Sequence, residues 1–394
     1  MTRPHLEVAD IVRAQGEPFF SNNRSWIHWV HRKVLRAIAN CRTAVLGGHR
    51  HQCPSCGHRV LVFHSCRNRH CPKCQVAARQ RWLAARQKEL LAVDYFHVVF
   101  TLPHQLSPLI LQNKKLLYDL LFRASAETLL EIALDPKHLG AEIGFLSVLH
   151  TWGQNLRHHP HIHCVIPSGG LSPDHRRWIH PRFHFLLPRN VLSRVFRGKF
   201  VAGLKRSRTQ LTLSGALKPL RQDRAFASFL RTLFRQDWVI YLKPPFGGPQ
   251  HVLRYLAGYT HRVAISNHRL VSFQHDQVTF RYKDYAHGNK KRMMTLSAQE
   301  FLRRFLLHVL PRGFVRIRFY GFLANRRRAN LLPLCQQLLL QHPQADPSRA
   351  SDSTAAPITG FRCPHCATVM LVVETFSAST FAPTAPRSTP LDSS

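Results

Sequence analysis

The stretch that most limits what this chain can fold into is "CPSCGHRVLVFHSCRNRHCPKC", residues 53 to 74. Cys53-x-x-Cys56 and Cys71-x-x-Cys74 stand 14 residues apart. Each C-x-x-C makes a tight knuckle whose two thiolates reach one ion, and two knuckles supply the four-sulfur tetrahedron that structural zinc prefers. The spacing falls just short of the usual ribbon template, but buried unligated cysteines would leave a Pro inside each knuckle unexplained. The reading is therefore zinc on Cys53, Cys56, Cys71 and Cys74. Cys66, His58, His64 and His70 are spare, to replace a cysteine or to serve a second ion. A further pair, Cys363 and Cys366 in "FRCPHCATVMLVVE", is half a site; Cys335 or His365 could complete it, or it is a vestige.

Charge bounds the partners. Lys and Arg number 56 against 20 Asp and Glu, a net charge of +36 over 394 residues. A chain this basic repels itself unless a polyanion shares its volume, which points to nucleic acid; a structural RNA binder is the plain version of that reading. No apolar stretch reaches ~18 residues, so no membrane-spanning helix is expected. "MTRPHLEVADIVRAQG" has no apolar core of a signal peptide. A cytoplasmic, nucleoid-associated location is expected, and in a reducing compartment clustered cysteines mean metal more often than disulfide.

The chain divides by texture. Residues 1–93 read as a helical and zinc-binding DNA-recognition module, with basic amphipathic helices at Ser25–Cys41 and Gln75–Val93. Residues 94–335 mix strands and helices. "YFHVVFTLP", "EIGFLSVLHTWGQNL", "HIHCVIPSGG", "DWVIYLKPPFGG", "QVTFRYKDY" and "GFVRIRFYGFL" read as strands. Lys114–Leu134, Arg224–Gln236 and Val252–Val263 read as helices, and so does "SAQEFLRRFLLHVL", with Ser297 as cap and Glu300 at its third position. Residues 336–394 are low in apolar content and read as a flexible tail carrying a lone C-x-x-C.

Two constellations carry chemistry. In "HPHIHCVIPSGG" a strand puts His159, His161 and His163 on one face and Ile162, Cys164 and Ile166 on the other. Neighbouring imidazoles on a rigid strand form half a divalent-ion site. In "RYLAGYTHR", Tyr255 and Tyr259 are four apart and share a helix face, set among Arg254, His261 and Arg262; Gly258 between them loosens that helix. A tyrosine that attacks a phosphodiester needs an ion to polarise the phosphate, cations to balance charge and a rigid platform.

At these residues the chain resembles the HUH endonucleases, and more narrowly the two-tyrosine rolling-circle transposases of the insertion-sequence-91 family. "CRNRHCPKCQ", "YLAGYTHRVAISNHRL", "YKDYAHGNKKRMMTL" and "RRFLLHVLPRGFVRIRFYGFLANRRR" add to it, so the likeness runs from about residue 5 to 335. It implies an α+β fold, an antiparallel sheet flanked by helices, with an N-terminal zinc-ribbon-like module. It implies cleavage and rejoining of single-stranded DNA at insertion-sequence ends, hairpins among them, through a 5′-phosphotyrosine. Carried over, Tyr255 and Tyr259 are the nucleophiles and His161 and His163 bind Mg²⁺ or Mn²⁺. For a third ligand, Gln154 and His150 share the strand's parity, and Gln154 is favoured. A DNA track is expected from Arg67, Arg69, Arg254, Arg262, Lys290, Lys291, Arg292, Arg326, Arg327 and Arg328, with Trp152, Phe280, Tyr282 and Tyr285 stacking on bases. The competing readings are a zinc-dependent DNA-binding regulator without chemistry, and a nuclease built on three converging carboxylates, which 20 scattered acids serve poorly.

Overall fold

The computed structural model describes residues 4–181, 187–243, 263–284, 288–341 and 361–377, without the side chains of 76–78. Tyr255, Tyr259, Arg254, Arg262, Tyr285 and the predicted helix up to residue 262 lie outside the described residues.

The N-terminal part holds helices α1 (Val8–Asn22) and α2 (Trp29–Ala39), strands β1 (Gly48–Gln52) and β2 (Arg59–Phe63), and helix α3 (Pro72–Gln87). Next come β3 (Tyr95–Thr101), α4 (Ser107–Gln112), α5 (Lys114–Leu134), β4 (Gly144–Trp152), β5 (His158–Pro167) and the short pair β6 (Gly170–Leu171) and β7 (Trp178–Ile179). Helices α6 (Arg189–Arg206) and α7 (Asp223–Phe234) lead to β8 (Ile240–Lys243). A meander follows, β9 (Leu270–Gln274), β10 (Gln277–Asp284) and β11 (Lys290–Ser297), then α8 (Ala298–Leu307), β12 (Ile317–Gly321), α9 (Asn325–Gln341) and β13 (Leu371–Phe376).

The fold is α+β, as the resemblance implied. Its centre is a five-stranded antiparallel sheet in the order β12-β4-β5-β3-β8. Alternation decides its two faces. Phe96, Val98, Phe100, Phe145, Leu149, Ile162, Cys164 and Ile166 enter one large core with α4, α5, α6 and α7. Tyr95, Leu146, Val148 and Val165 point the other way and are covered by Leu332, Cys335 and Leu338 of α9. Each fully buried Leu or Phe contributes about 2 kcal/mol, so this alternation fixes which face β5 turns to α5. Past β5, "SGG" turns the chain sharply: Gly169 has φ +115°, and a Cβ on Gly170 would lie 2.5 Å from the Glu142 carbonyl oxygen.

A second core joins α1 and α2 to Val263, Ala264, Ile265, Val278, Phe280 and the buried face of α8. The N-terminal helices are thus not a separate lobe: their apolar faces are completed by residues 263–309. Ser297 caps α8 as predicted, its hydroxyl accepting from the Glu300 amide at 3.3 Å. The Glu300 carboxylate does not close a capping box. It takes hydrogen bonds from Arg303 and Arg304, which hold it at about 2.

One stretch of the expected flexible tail is ordered. Residues 361–377 are not a loose extension. β13 pairs with β1, Gly48 opposite Phe376 and Gln52 opposite Leu371, giving a sheet β13-β1-β2. None of the described helices is long and apolar enough to cross a membrane.

Between the two cores lies a basic group that is mostly withdrawn from solvent. Lys114 donates to the carbonyls of Leu307 and Val309 at 2.8 and 3.0 Å, and burial brings its ammonium down to about 8. His158 bonds Ser107 and, at 3.0 Å, the Tyr118 hydroxyl; His308 bonds the Leu156 carbonyl at 3.0 Å. Burial, then the neighbouring His308 and Lys114, lowers His158 to about 2, and burial above all lowers His308 to about 3. Both rings are therefore neutral in the fold, whereas the unfolded chain takes protons near 6.5. Stability from this pair is complete above that value and is lost as pH falls from it toward 3, about 2 kcal/mol per ring at pH 5. Thermal melting at pH 7.5 and pH 5 is expected to show the midpoint falling by about 5 °C, and His308→Gln to shrink that difference. An unchanged midpoint would remove both histidines from the account.

Candidate active site and metal centres

The histidine face of β5 is open at its N-terminal end and closed by Val165 further along. His161 and His163 lie on it, and β4 brings His150 directly opposite His161. One ring nitrogen from each of His150, His161 and His163 lies within 4.8 Å of the others. The sequence favoured Gln154 as the third ligand. The structure brings His150 to the pair, because the register slips between His150 and Trp152 and the strand ends there. Gln154 falls in the following turn, where its carbonyl accepts from Arg269. Parity counted through a bulge does not hold. His159 lies beside His161, with ring centroids 5.2 Å apart, and its carbonyl accepts from His161 Nδ1 at 2.7 Å.

That bond fixes a tautomer: Nδ1 of His161 carries the proton and Nε2 keeps a lone pair that a metal could take. His163 is oriented likewise, its Nδ1 lying 2.7 Å from His97 Nε2 with the rings parallel. Metal-binding histidines are characteristically held through their other nitrogen in this way. Burial drives His161 down to about 3 and His163 well below its ordinary value, while His97 falls to about 4. His161 and His163 are neutral at physiological pH, as ligation requires. Three imidazoles fit a divalent first-row ion, and suit Mn²⁺ better than Mg²⁺, which prefers oxygen. His97 was not singled out from the sequence. In "YFHVVFTLP" it is one polar residue in an apolar strand, and that break in the pattern was the available signal.

The β4–β5 turn is anchored from outside. Leu156, fully buried at φ +62°, joins the second core. Arg304 donates to the Asn155 carbonyl at 3.1 Å, beside the Arg269 and His308 bonds.

The cysteines form two groups where the sequence suggested one. Cys71 and Cys74 meet Cys41 and Cys66, with Cys74 sulfur 3.5 Å from Cys41 and 3.6 Å from Cys66. Cys53 and Cys56 meet Cys363 and Cys366. The two C-P-x-C stretches are alike in sequence and differ in backbone. Cys71 is the N-cap of α3, so Cys74 sits in a helical first turn. Cys53–Gly57 is a closed turn off β1. The first group is packed into the second core, its Cys41 and Cys71 fully buried, and beside it Lys73 meets Glu7 at 2.5 Å. Cys335 lies under the central sheet among Leu332 and Leu338, and the His365 ring lies tilted against His58 with centroids 4.3 Å apart.

The proposed DNA track is also divided. Arg67, Lys290, Lys291, Arg292 and Arg326 are exposed. Arg69 instead donates to the Phe314 and Pro311 carbonyls at 2.5 and 2.6 Å. Arg327 grips Glu142, and Arg328 bonds Glu89 at 3.1 Å over the Phe319 ring. These three staple secondary structure, a use the run of arginines hid. Phe280 is fully buried and is a core residue, not a stacking platform; Trp152 stacks on His150 at 4.6 Å.

Residues 144–330 match the family described as "Putative transposase", and residues 11–102 that described as "Transposase zinc-binding domain". The first span holds the histidine triad and the second six of the clustered cysteines. Fold, cysteine groups and these matches define a transposase that acts on DNA. The chain is 50% identical over 395 residues to "Putative transposase y4qJ" of Sinorhizobium fredii (strain NBRC 101917 / NGR234), covering 97% of this chain and 98% of that one. It is 29% identical over 379 residues to "Transposase for insertion sequence element IS801" of Pseudomonas savastanoi pv. phaseolicola, covering 92% and 90%. No solved structure matches. This protein belongs to the insertion-sequence-91 family of transposases.

Proposed function

We propose that this transposase cuts and rejoins single-stranded DNA at the ends of its element, with Tyr255 and Tyr259 as nucleophiles beside a divalent-ion site of His150, His161 and His163. The observation that carries the reading is the placement of the described residues that flank the tyrosine segment. Lys243, before it, is the register partner of His97, which orients His163. Val263, after it, joins the core that seats Leu156, in the turn between His150 and His161. The described residues on either side of the tyrosine segment thus belong to the same parts of the fold that position the histidines, which supports the reading.

In this reading a tyrosine oxygen gives up its proton and bonds to the scissile phosphorus. The bond from phosphorus to the 3′-oxygen breaks, that oxygen takes a proton, and a 3′-OH leaves. One phosphoester replaces another, so rejoining needs no nucleoside triphosphate. A bound divalent ion would polarise the phosphate. The triad has no carboxylate, so the ion's charge stays available to the incoming phosphate. Exposed Lys290, Lys291, Arg292, Arg67 and Arg326 would track the strand, so affinity should fall with a log–log salt slope of roughly −0.7 per phosphate.

The test is incubation of the protein and Mn²⁺ with labelled single-stranded oligonucleotides from the element's ends. A labelled band that survives denaturation is expected. Cleavage without an adduct would favour a carboxylate-centred nuclease, and binding without cleavage a regulator. His97→Leu is expected to weaken Mn²⁺ binding by about 10- to 100-fold in calorimetry with oligonucleotide affinity little changed. Unaltered Mn²⁺ affinity would show that His97 does not position His163 for ligation.

A further inference from the structure

We infer that Cys53, Cys56, Cys363 and Cys366 bind a second zinc ion, and that this ion clasps the C-terminal hairpin onto the N-terminal module. The zinc-binding family match ends at residue 102 and contains only half of these ligands.

Sulfur geometry is the first argument. Cys53 and Cys366 sulfurs are 3.3 Å apart, Cys56 and Cys363 3.5 Å, and Cys56 and Cys366 3.6 Å. Zinc–sulfur bonds of ~2.3 Å at tetrahedral angles put sulfurs about 3.8 Å apart; a disulfide would need about 2.0 Å.

Backbone geometry is the second. The two C-P-x-C turns, more than 300 residues apart in sequence, close in the same way. Gly57 donates to the Cys53 carbonyl at 3.0 Å, and Ala367 to the Cys363 carbonyl at 2.9 Å. Cys53 donates to the His58 carbonyl at 2.9 Å, and Cys363 to the Thr368 carbonyl at 2.8 Å. The residue after each second cysteine has positive φ, +71° at Gly57 and +60° at Ala367. Alanine adopts that conformation reluctantly, so something outside the turn holds it there. Paired turns of this kind, each off a strand, form a zinc ribbon whose halves come from opposite ends of the chain.

Packing is the third. β13 completes a sheet on β1, yet Leu371, Val372 and Val373 are 57%, 52% and 53% exposed. Within residues 361–377 the buried side chains are Cys363, Met370 and Phe376, and Cys53 and Val60 are what the small cluster around them adds. So little burial does not hold down a strand that closes a loop this long. An ion with two ligands on each side does.

Burial also sets the order of release. Cys56 and Cys366 are exposed, whereas Cys41 and Cys71 of the first group are buried. The clasp ion should leave first.

The experiment measures zinc per chain on the full-length protein by mass spectrometry, with limited proteolysis alongside. Two ions are expected in the parent. Cys363→Ser/Cys366→Ser should hold one, with residues 361–377 newly open to protease. Where that variant does not stay soluble, the parent is titrated with a thiol reagent and a zinc indicator. Two phases are then expected, the first coinciding with modification of Cys363 and Cys366. One ion in the parent, an unchanged count in the variant, disulfide-linked peptides joining Cys53 to Cys366, or Cys363 and Cys366 modified before any zinc leaves would each overturn the inference.

Discussion

The Tyr255→Phe/Tyr259→Phe chain is expected to bind single-stranded element ends as the parent does and to leave no covalent adduct. Phenylalanine keeps the ring and its packing and removes only the oxygen that attacks phosphorus. Loss of a covalent nucleophile costs on the order of 10⁴-fold or more in rate, so cleavage should fall below detection. Each single variant sorts the roles. One should abolish the first adduct; the other should permit it and block resolution. Undiminished nicking by the double variant would remove tyrosine chemistry from this protein and leave the histidine triad to serve another nucleophile.

Loss of the first zinc group should be the largest structural perturbation. Cys41, Cys66, Cys71 and Cys74 join α2, the segment before α3, and the start of α3 within the core that also holds Val278, Phe301 and Phe305. Structural zinc sites are worth about 10–16 kcal/mol in small peptides, as much as the whole stability of many domains. Cys71→Ser/Cys74→Ser is expected to lower the melting midpoint by more than about 10 °C and to abolish DNA binding. Because α1 and α2 pack on α8, the loss should also disturb the β4–β5 turn that Leu156, Arg304 and His308 anchor. A variant that melts like its parent would show that this core needs no ion. The clasp group offers a contrast: its removal should free the tail and leave that core standing.

Much of this is legible in the sequence. The strand at Tyr95 and the helix Lys114–Leu134 begin where their patterns predict. The alternation in "HIHCVIPSGG" separated Ile162, Cys164 and Ile166 from the histidines correctly, because one face of β5 is buried under helices and a one-residue slip would reverse it. Other residues were misjudged for physical reasons. Cys41 closes a helix and carries no C-x-x-C, so no local spacing marks it as a ligand. Arg327 and Arg328 read as a basic run, but Glu142 and Glu89, far off in sequence, pair with them and leave them half-buried.

The sequence by itself determined the metal-binding and nucleic-acid character of this transposase, the strand that carries His161 and His163, and most of the elements around it. Those properties depend on residue type and on neighbours a few positions away. Which cysteines come together, that His150 and not Gln154 stands opposite His161, and that the last described strand returns to the first were decided only in the tertiary structure. Each depends on a register, a bulge or a loop closure between segments tens to hundreds of residues apart. Many pairings satisfy local spacing equally well, and only the packing of the assembled cores selects one.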